Sequence, residues 1–269
     1  GWIQIYAENN QEAYDNFLQA MRIAETDDVR LPIMVCQDGF ITSHAVENII
    51  LEDTDTVKKF AGEYKPAHSL LDPDSTLAVG PYDVCPYYME HKVQQAQAMK
   101  NAKKAILDVA ADFERTFGRK YGFFEEYRMD NAEIAIVLIG STAGTAKACV
   151  DELRNKGIKA GLIKLRVFRP FPAEELAAAL SNCKAVAVMD KSEGFSAHGG
   201  PVFADTSAAC INLPKHPVLI DVVFGLGGRD CRVEDIAKVY DYLGGIAYEG
   251  KTYETYIHLG QRSNEKEVF

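Results

Sequence analysis

The sequence lacks most of the patterns that announce an active site. Its six cysteines (Cys36, Cys85, Cys149, Cys183, Cys210 and Cys231) include no C-x-x-C pair and no Cys/His cluster at metal-ligand spacing. That speaks against zinc or iron–sulfur binding by this chain alone. There is no G-x-S-x-G, no H-E-x-x-H and no paired-carboxylate pattern, so the familiar hydrolase and metalloprotease chemistries find no support. No run reaches the roughly 18 apolar residues of a membrane span, and no signal-peptide pattern opens the sequence. A basic footprint is missing too. Lys and Arg number 29 against 39 Asp and Glu, a formal charge of −10 with the cations dispersed among acids, which argues against a nucleic-acid partner. Several cysteines sit within apolar runs, where a free thiol behaves as a small hydrophobe. A reducing, cytoplasmic setting is therefore expected in place of a disulfide framework.

What remains is the composition of a globular protein: 269 residues, 47% hydrophobic and 25% charged, enough to bury one large core or two smaller ones. The chain enters at once on a strand-like run, WIQIYA, and reads as an entry into the middle of a domain. A helix pattern follows in which Ala13, Phe17, Ala20, Met21 and Ala24 form an apolar stripe expected to pack on a sheet. LPIMVC, Leu31 to Cys36, is a buried-strand candidate ending at the turn QDGF. Residues 1–50 thus make about one βαβ unit, too small to hold a core by itself. Periodicity then fails, and Pro66, Pro73, Pro81 and Pro86 mark an ordered crossover linker. Residues 90–116 read as one long helix stopping at Gly118. From 131 to 243 apolar strands alternate with helix-length segments, the mark of a doubly wound parallel sheet. The tail, 244–269, shows no clear periodicity.

Three strand-to-helix turns invite a test for phosphate. IVLIGSTAGTAKACVDELRNKG, residues 136–157, has Gly140 and Gly144 but neither G-x-x-x-x-G-K-[ST] nor G-x-G-x-x-G, since residue 142 is Thr. The next strand, running through Leu165, Arg166 and Val167, also brings no acid to hold a ribose. Capping by Ser141 or Thr142 is expected, although a free helix N-terminus without acids could also seat an anion. In FRPFPAEEL, Pro172 fits the first helical position, with Glu174 and Glu175 complementing the dipole. In VVFGLGGRDCRVEDIAK, Gly225, Gly227 and Gly228 suggest close backbone approach or docking, because Glu234 and Asp235 fill the following helix start. The polar loop DKSEGFSAHGG offers His198, expected as a surface histidine, and QDGFITSHAVEN offers Asp38, Thr42, Ser43 and His44 after a strand end.

Taken in order, GWIQIYAENNQEAYDNFLQAMRIAE, LPIMVCQDGFITSHAVE, FGRKYG, GSTAGTAKACVDELRNKGIKAGLIKLRVFRPFPAEEL and GLGGRD resemble the alpha subunit of 2-oxoacid:ferredoxin oxidoreductases, most closely the pyruvate enzymes. The likeness is collinear from residue 1 to about 260. It implies an α/β chain in which 1–50 is the end of a pyrimidine-side thiamine diphosphate domain. Residues 51–130 would be crossover linker and long helix, and 131–243 a transketolase C-terminal-like domain. It also implies oxidative decarboxylation of pyruvate to acetyl-CoA and CO2 with reduction of ferredoxin. Thiamine diphosphate with Mg2+ and [4Fe-4S] clusters would be held mainly by partner subunits of beta, gamma and delta type, or by residues preceding the GWIQ phrase, with coenzyme A as co-substrate. The Glu that activates the aminopyrimidine and the Arg that holds the substrate carboxylate would lie in that preceding part. Asp38, Gly39, Thr42, Ser43 and His44 match a phrase near the active site, with no catalytic role assigned. A related 2-oxoacid or oxalate enzyme, a noncatalytic assembly subunit of the same fold and a nucleotide-dependent oxidoreductase are the rival readings.

Overall fold

The structure is a computed structural model that describes residues 1–80, 82–195 and 198–262; Pro81, two residues of the DKSEGFSAHGG loop and 263–269 lie outside the described residues. The opening βαβ unit is present. Strand β1 (Ile3–Tyr6), helix α1 (Asn10–Glu25) and strand β2 (Ile33–Cys36) follow in order, with β1 and β2 parallel from Ile3 opposite Ile33 to Tyr6 opposite Cys36. Helix α1 starts where the Asn9 side chain accepts the Glu12 N–H at 2.9 Å, satisfying one of the orphan donors of a helix start.

Helix α2 (Thr54–Ala61) occupies part of the expected linker. Helix α3 (Tyr88–Phe117) then ends at Gly118, whose left-handed φ of 76° lets its N–H close on the Glu114 carbonyl. Beyond it come β3 (Phe124–Tyr127), β4 (Ile134–Ile139), α4 (Thr142–Asn155), β5 (Ala160–Leu165), β6 (Val167–Arg169) and α5 (Ala173–Leu180). The chain continues through β7 (Ala185–Asp190), α6 (Pro201–Cys210), β8 (Val218–Val223), α7 (Val233–Glu249) and β9 (Tyr256–His258).

Six of these strands form one sheet in the order β3-β5-β4-β7-β8-β9, parallel except for β3 at one edge. Its strands are apolar throughout because both faces are covered. Ile134, Ile136 and Leu138 pack under α4 and α7 with Val150, Leu153, Val239 and Leu243. Ala135, Val137, Val186 and Val188 pack on the other side with Leu176, Leu180 and Val202 of α5 and α6. The doubly wound domain read from the sequence is this sheet, with different limits. Helix α7 continues to Glu249 and β9 pairs with β8, so the stretch after 243 supplies helix and strand where an aperiodic tail was expected. A three-residue strand is too short to show a period. Likewise β3, within the expected linker, pairs antiparallel with β5.

The N-terminal lobe borrows from the second. Strand β6 leaves the large sheet one residue after β5 and pairs antiparallel with β1, giving a three-stranded sheet in the order β2-β1-β6. Pro172 stands at the N-cap of α5, not inside it, and Glu174 and Glu175 reach Lys103 of α3 at 2.7 and 2.9 Å.

The apolar stripe of α1 is a further correction. Of Ala13, Phe17, Ala20, Met21 and Ala24 only Ala20 is buried, and Phe17 is 59% exposed. The buried face carries Glu12, Asp15, Asn16 and Gln19 beside Leu18 and Ile23. Its partners explain the inversion. Arg119 holds both oxygens of Asp15, at 2.6 and 2.8 Å, and Glu52 at 2.7 Å, while the Tyr121 hydroxyl donates to Asp15 at 2.6 Å. Arg166, the residue between β5 and β6, donates to Asn16 Oδ1 at 2.7 Å, Gln19 Oε1 at 3.2 Å and the Gly122 carbonyl at 3.0 Å. Lys164 of β5 meets Glu12, Glu8 and Glu125. Burial pushes the Arg166 guanidinium down to about 10, with Glu12 opposing that shift, so it stays charged at neutral pH.

Breaking this contact should be costly. Arg166→Ala strands the buried acceptors of Asn16 and Gln19 and is expected to lower unfolding stability by roughly 3 kcal/mol or more. Phe17→Ser should change it by less than about 0.5 kcal/mol. Urea denaturation of the two variants checks this, and a core-sized loss for Phe17→Ser would overturn the inverted-helix assignment.

Candidate functional site at the carboxyl end of the large sheet

In doubly wound sheets, ligands collect outside the carboxyl ends of the strands where the winding direction reverses. Here the chain passes from β4 to β5 on one side and then returns to β7 on the other. The crevice therefore lies between the β4 turn at Gly140–Ser141 and the β7 end at Asp190–Lys191. A cavity of about 810 Å³ opens beside it, lined by Phe40 and Ile41 of the first lobe and by Ser141, Lys191, Arg229 and Arg232 of the second.

The Gly140 turn is occupied by a carboxylate of the chain itself. Asp38, two residues beyond β2, accepts the Ser141 N–H at 2.7 Å and the Ser141 hydroxyl, and Lys191 Nζ stands 3.5 Å from its other oxygen. Ser141 and Thr142 make no capping hydrogen bond, so the expected self-capping gives way to a cap supplied from the other lobe. Gly140 has φ +88°, and a Cβ there would come within 2.9 Å of Asp38 Oδ2; both conformation and space demand glycine.

The other sequence candidates belong to the same loop. Gly39 lines the cavity. Thr42 is buried, 3% exposed, with no partner for its hydroxyl among the described residues. Ser43 Oγ accepts the Phe40 N–H at 3.0 Å and lies 2.7 Å from His44 Nδ1, and the His44 ring stacks on Phe40 at 4.6 Å. Both Ser43 and His44 are exposed, and among the described residues no carboxylate is bonded to His44. A serine and a histidine in contact without an orienting acid do not make a nucleophilic triad.

At the GLGGRD turn Gly225, Gly227 and Gly228 have φ of +65°, +66° and +79°, and a Cβ on Gly227 or Gly228 would meet open space. The backbone conformation of the turn, not close packing, requires glycine at those two positions. Asp235 accepts the Arg232 N–H at 3.1 Å and closes the α7 start. Arg229 and Arg232 form no ion pair among the described residues, but Asp230 and Glu234 line the cavity with them. Its charges nearly cancel.

The residues that sequence reasoning missed are Asp190 and Asp221. Asp190 accepts the Val202 and Phe203 N–H groups at 3.1 and 2.9 Å, and Asp221 accepts the Gly200 N–H at 2.6 Å. Together they cap α6, whose own N-cap is Gly200. A Cβ on Gly200 would fall 2.3 Å from Asp190 Cγ, which is why the loop ends in two glycines. An acid inside the apolar runs VAVMD and LIDVV was the available signal. Burial pushes both carboxyls up, Asp221 to about 6 with the neighbouring Asp190 adding to the rise. Glu193 in the same loop is held down to about 2 by hydrogen bonds from Tyr256 and His258. His198 is exposed.

A thiamine diphosphate anchored through a metal needs oxygen ligands around the ion. Among the described residues no group of three His, Cys, Asp or Glu side chains could hold a metal. The backbone anion slot at Gly140–Ser141 is filled by Asp38. No diphosphate or metal site is assigned to these residues, and no catalytic step is routed through them.

Because the Asp221 carboxyl titrates near 6 when folded and near 3.9 unfolded, the folded chain binds the extra proton between those values. Its contribution to stability is present below about pH 4 and is lost as pH rises through 6. Asp221→Asn should flatten that part of the melting temperature's pH profile and raise the variant relative to wild type above pH 6. A profile unchanged between pH 4 and 7 would refute the assignment.

Two family descriptions cover most of the chain. Residues 1–111 match the family described as pyruvate flavodoxin/ferredoxin oxidoreductase, thiamine diphosphate-binding, and residues 132–236 match pyruvate:ferredoxin oxidoreductase core domain II. Pyruvate synthase subunit PorA of Thermotoga maritima is 48% identical over 241 residues, covering 90% of this chain and 61% of that protein. Its counterpart from Methanocaldococcus jannaschii is 41% identical over 245 residues, 90% of this chain and 62% of that one. Ketoisovalerate oxidoreductase subunit VorA of Pyrococcus abyssi is 38% identical over 252 residues, 93% and 63%. Among solved structures, 2-oxoglutarate:ferredoxin oxidoreductase from Magnetococcus marinus superposes with a TM-score of 0.59 at 16% identity, covering 90% of this chain and 42% of that chain; this likeness shows the fold alone. The chain spans about three-fifths of the length of the relatives it matches. With the two domain matches taken together covering most of its length, the chain belongs to the pyruvate flavodoxin/ferredoxin oxidoreductase family.

Proposed function

We propose that the chain serves as an alpha-type subunit of a thiamine-dependent 2-oxoacid:ferredoxin oxidoreductase that converts pyruvate and coenzyme A to acetyl-CoA and CO2, passing two electrons to ferredoxin. The observation that carries this reading is the 48% identity to a pyruvate synthase subunit across both lobes. The chain's own geometry supports a non-catalytic share of the work. The anion slot at Ser141 is occupied by Asp38, and Cys149, Cys183 and Cys210 are buried with thiols pushed up by burial, unsuited to act as thiolate ligands. Thiamine diphosphate with Mg2+, and the [4Fe-4S] clusters, fall in this reading to partner subunits of beta, gamma and delta type or to further polypeptide of the same subunit. The compartment is the cytoplasm. Among the described residues no helix is long and apolar enough to cross a membrane.

Purification of the native complex and assay of ferredoxin reduction test the reading. Pyruvate and coenzyme A together should support turnover, and the chain by itself should show neither turnover nor tight binding of thiamine diphosphate by calorimetry. A complex inert with pyruvate but active with 2-oxoisovalerate would move the assignment to the ketoisovalerate branch represented by the relative that is 38% identical. Tight cofactor binding by the isolated chain would refute the division of labour.

A further inference from the structure

A helix start with no acid in its first turn presents unpaired N–H groups and the positive end of the dipole. In this chain an anion is already bound there, delivered from a different lobe across 103 residues of sequence. We propose that Asp38 is a built-in anionic ligand of the α4 start, and that through it the second lobe sets the pose of the loop Gly39–His44. Asp38 is thus a positioning residue, and this role does not depend on which 2-oxoacid the complex oxidises.

The loop's internal bonds show how one anchor can fix all of it. The Asp38 carbonyl accepts the Ser43 N–H at 3.2 Å, Ser43 Oγ accepts the Phe40 N–H, and His44 is tied to Ser43 and stacked on Phe40. The loop is therefore a closed unit from 38 to 44. Its link to the large sheet is the Asp38 side chain, held by the Ser141 amide, the Ser141 hydroxyl and Lys191. The second lobe is shaped to receive a carboxylate. Gly140 has the one side chain that leaves room for it, Ser141 turns its hydroxyl to it in place of capping its own helix, and Lys191 projects from the end of the adjacent strand. Charge complementarity is local, since the Arg229 and Arg232 side of the cavity is already balanced by Asp230 and Glu234.

Hydrogen exchange read by mass spectrometry on the chain with its copurified partners tests this, using peptides spanning 37–46 and 138–146. In Asp38→Ala both peptides should exchange at least about tenfold faster, a local opening that leaves peptides from α7 and β8 unchanged. Formate or acetate, filling the vacated slot, should restore protection at 138–146 in the variant and have no effect on wild type. Asp38→Asn, of equal size but uncharged, should also lose protection. Protection in Asp38→Ala equal to wild type, protection in Asp38→Asn equal to wild type, or faster exchange spread over the whole chain without rescue by the added anion would each overturn the proposal. Should Asp38→Ala not fold, Asp38→Asn and Ser141→Ala carry the same decision. Both should loosen 37–46, and unchanged exchange there counts against the anchor.

Discussion

The contact on which the rest of the structure depends is the charged seam between α1 and the second lobe. Arg166 is almost wholly buried at 2% exposure, and Asp15 is buried completely beneath Arg119 and Tyr121. Charges taken out of water cost several kcal/mol each unless their hydrogen-bonding capacity is met. Here the geometry meets most of it, with Asp15 accepting from Arg119 twice and from Tyr121, and Arg166 donating to three acceptors. Such a seam tolerates little sliding, because a shift of one residue would strand buried donors and acceptors on both sides. It adds little net stability over an apolar contact, yet removing one of its partners is costly. The β5 to β6 turn is pinned by the same arginine, so the strand that leaves one sheet to complete the other is guided by the residue at the crossing point.

That seam also explains where sequence reasoning reached and where it stopped. The large sheet was legible because β4, β5 and β7 are apolar runs punctuated by helices of the right length, and a strand covered on both faces leaves no other pattern. The α1 stripe misled because amphipathicity assumes that the buried face is the apolar one. When the facing surface carries Arg119, Lys164 and Arg166, the polar face is the one drawn in, and that surface comes from residues more than 100 positions away. Strand β9 was missed because three residues cannot display a period, and β6 because a switch between sheets leaves no mark in composition.

The candidate site was partly legible in the same sense. A glycine turn at a strand end with hydroxyls and no acids left two readings open, self-capping and a seated anion, and self-capping, the expected one, is not what the structure shows. What spacing could not supply was the identity of that anion, since Asp38 arrives from another lobe. The cluster of Asp38, Gly39, Thr42, Ser43 and His44 looked like one site because its residues are adjacent in sequence, yet among the described residues only Asp38 bonds to the second lobe. Asp190 and Asp221 went unremarked although an ionisable residue inside an apolar strand always calls for a partner. Their partners turned out to be the amides at and after a glycine pair, a backbone function invisible to side-chain motifs.

Burying the polar face of α1 leaves its apolar face outside, and this is not isolated. Phe40 and Ile41 stand exposed on the anchored loop, Val46, Ile50 and Leu51 follow on an extended strap, and Tyr88, Met89 and Val93 project along the first turns of α3, whose buried residues begin only at Ala102. The strap is held along α1 by side-chain to backbone bonds, Asn10 to Ala45 and Gln11 to Ile50 in both directions, so its apolar side chains are presented on an ordered backbone. Exposed apolar residues scattered singly need no explanation, but fixed and recurring ones mark contact surfaces. Ordering a surface in advance removes much of the entropic cost of association. The bonds that fix the strap are polar and lie at the surface beside α1, while the side chains it displays there are apolar. An apolar surface held on an ordered backbone in this way loses little conformational freedom when another surface covers it.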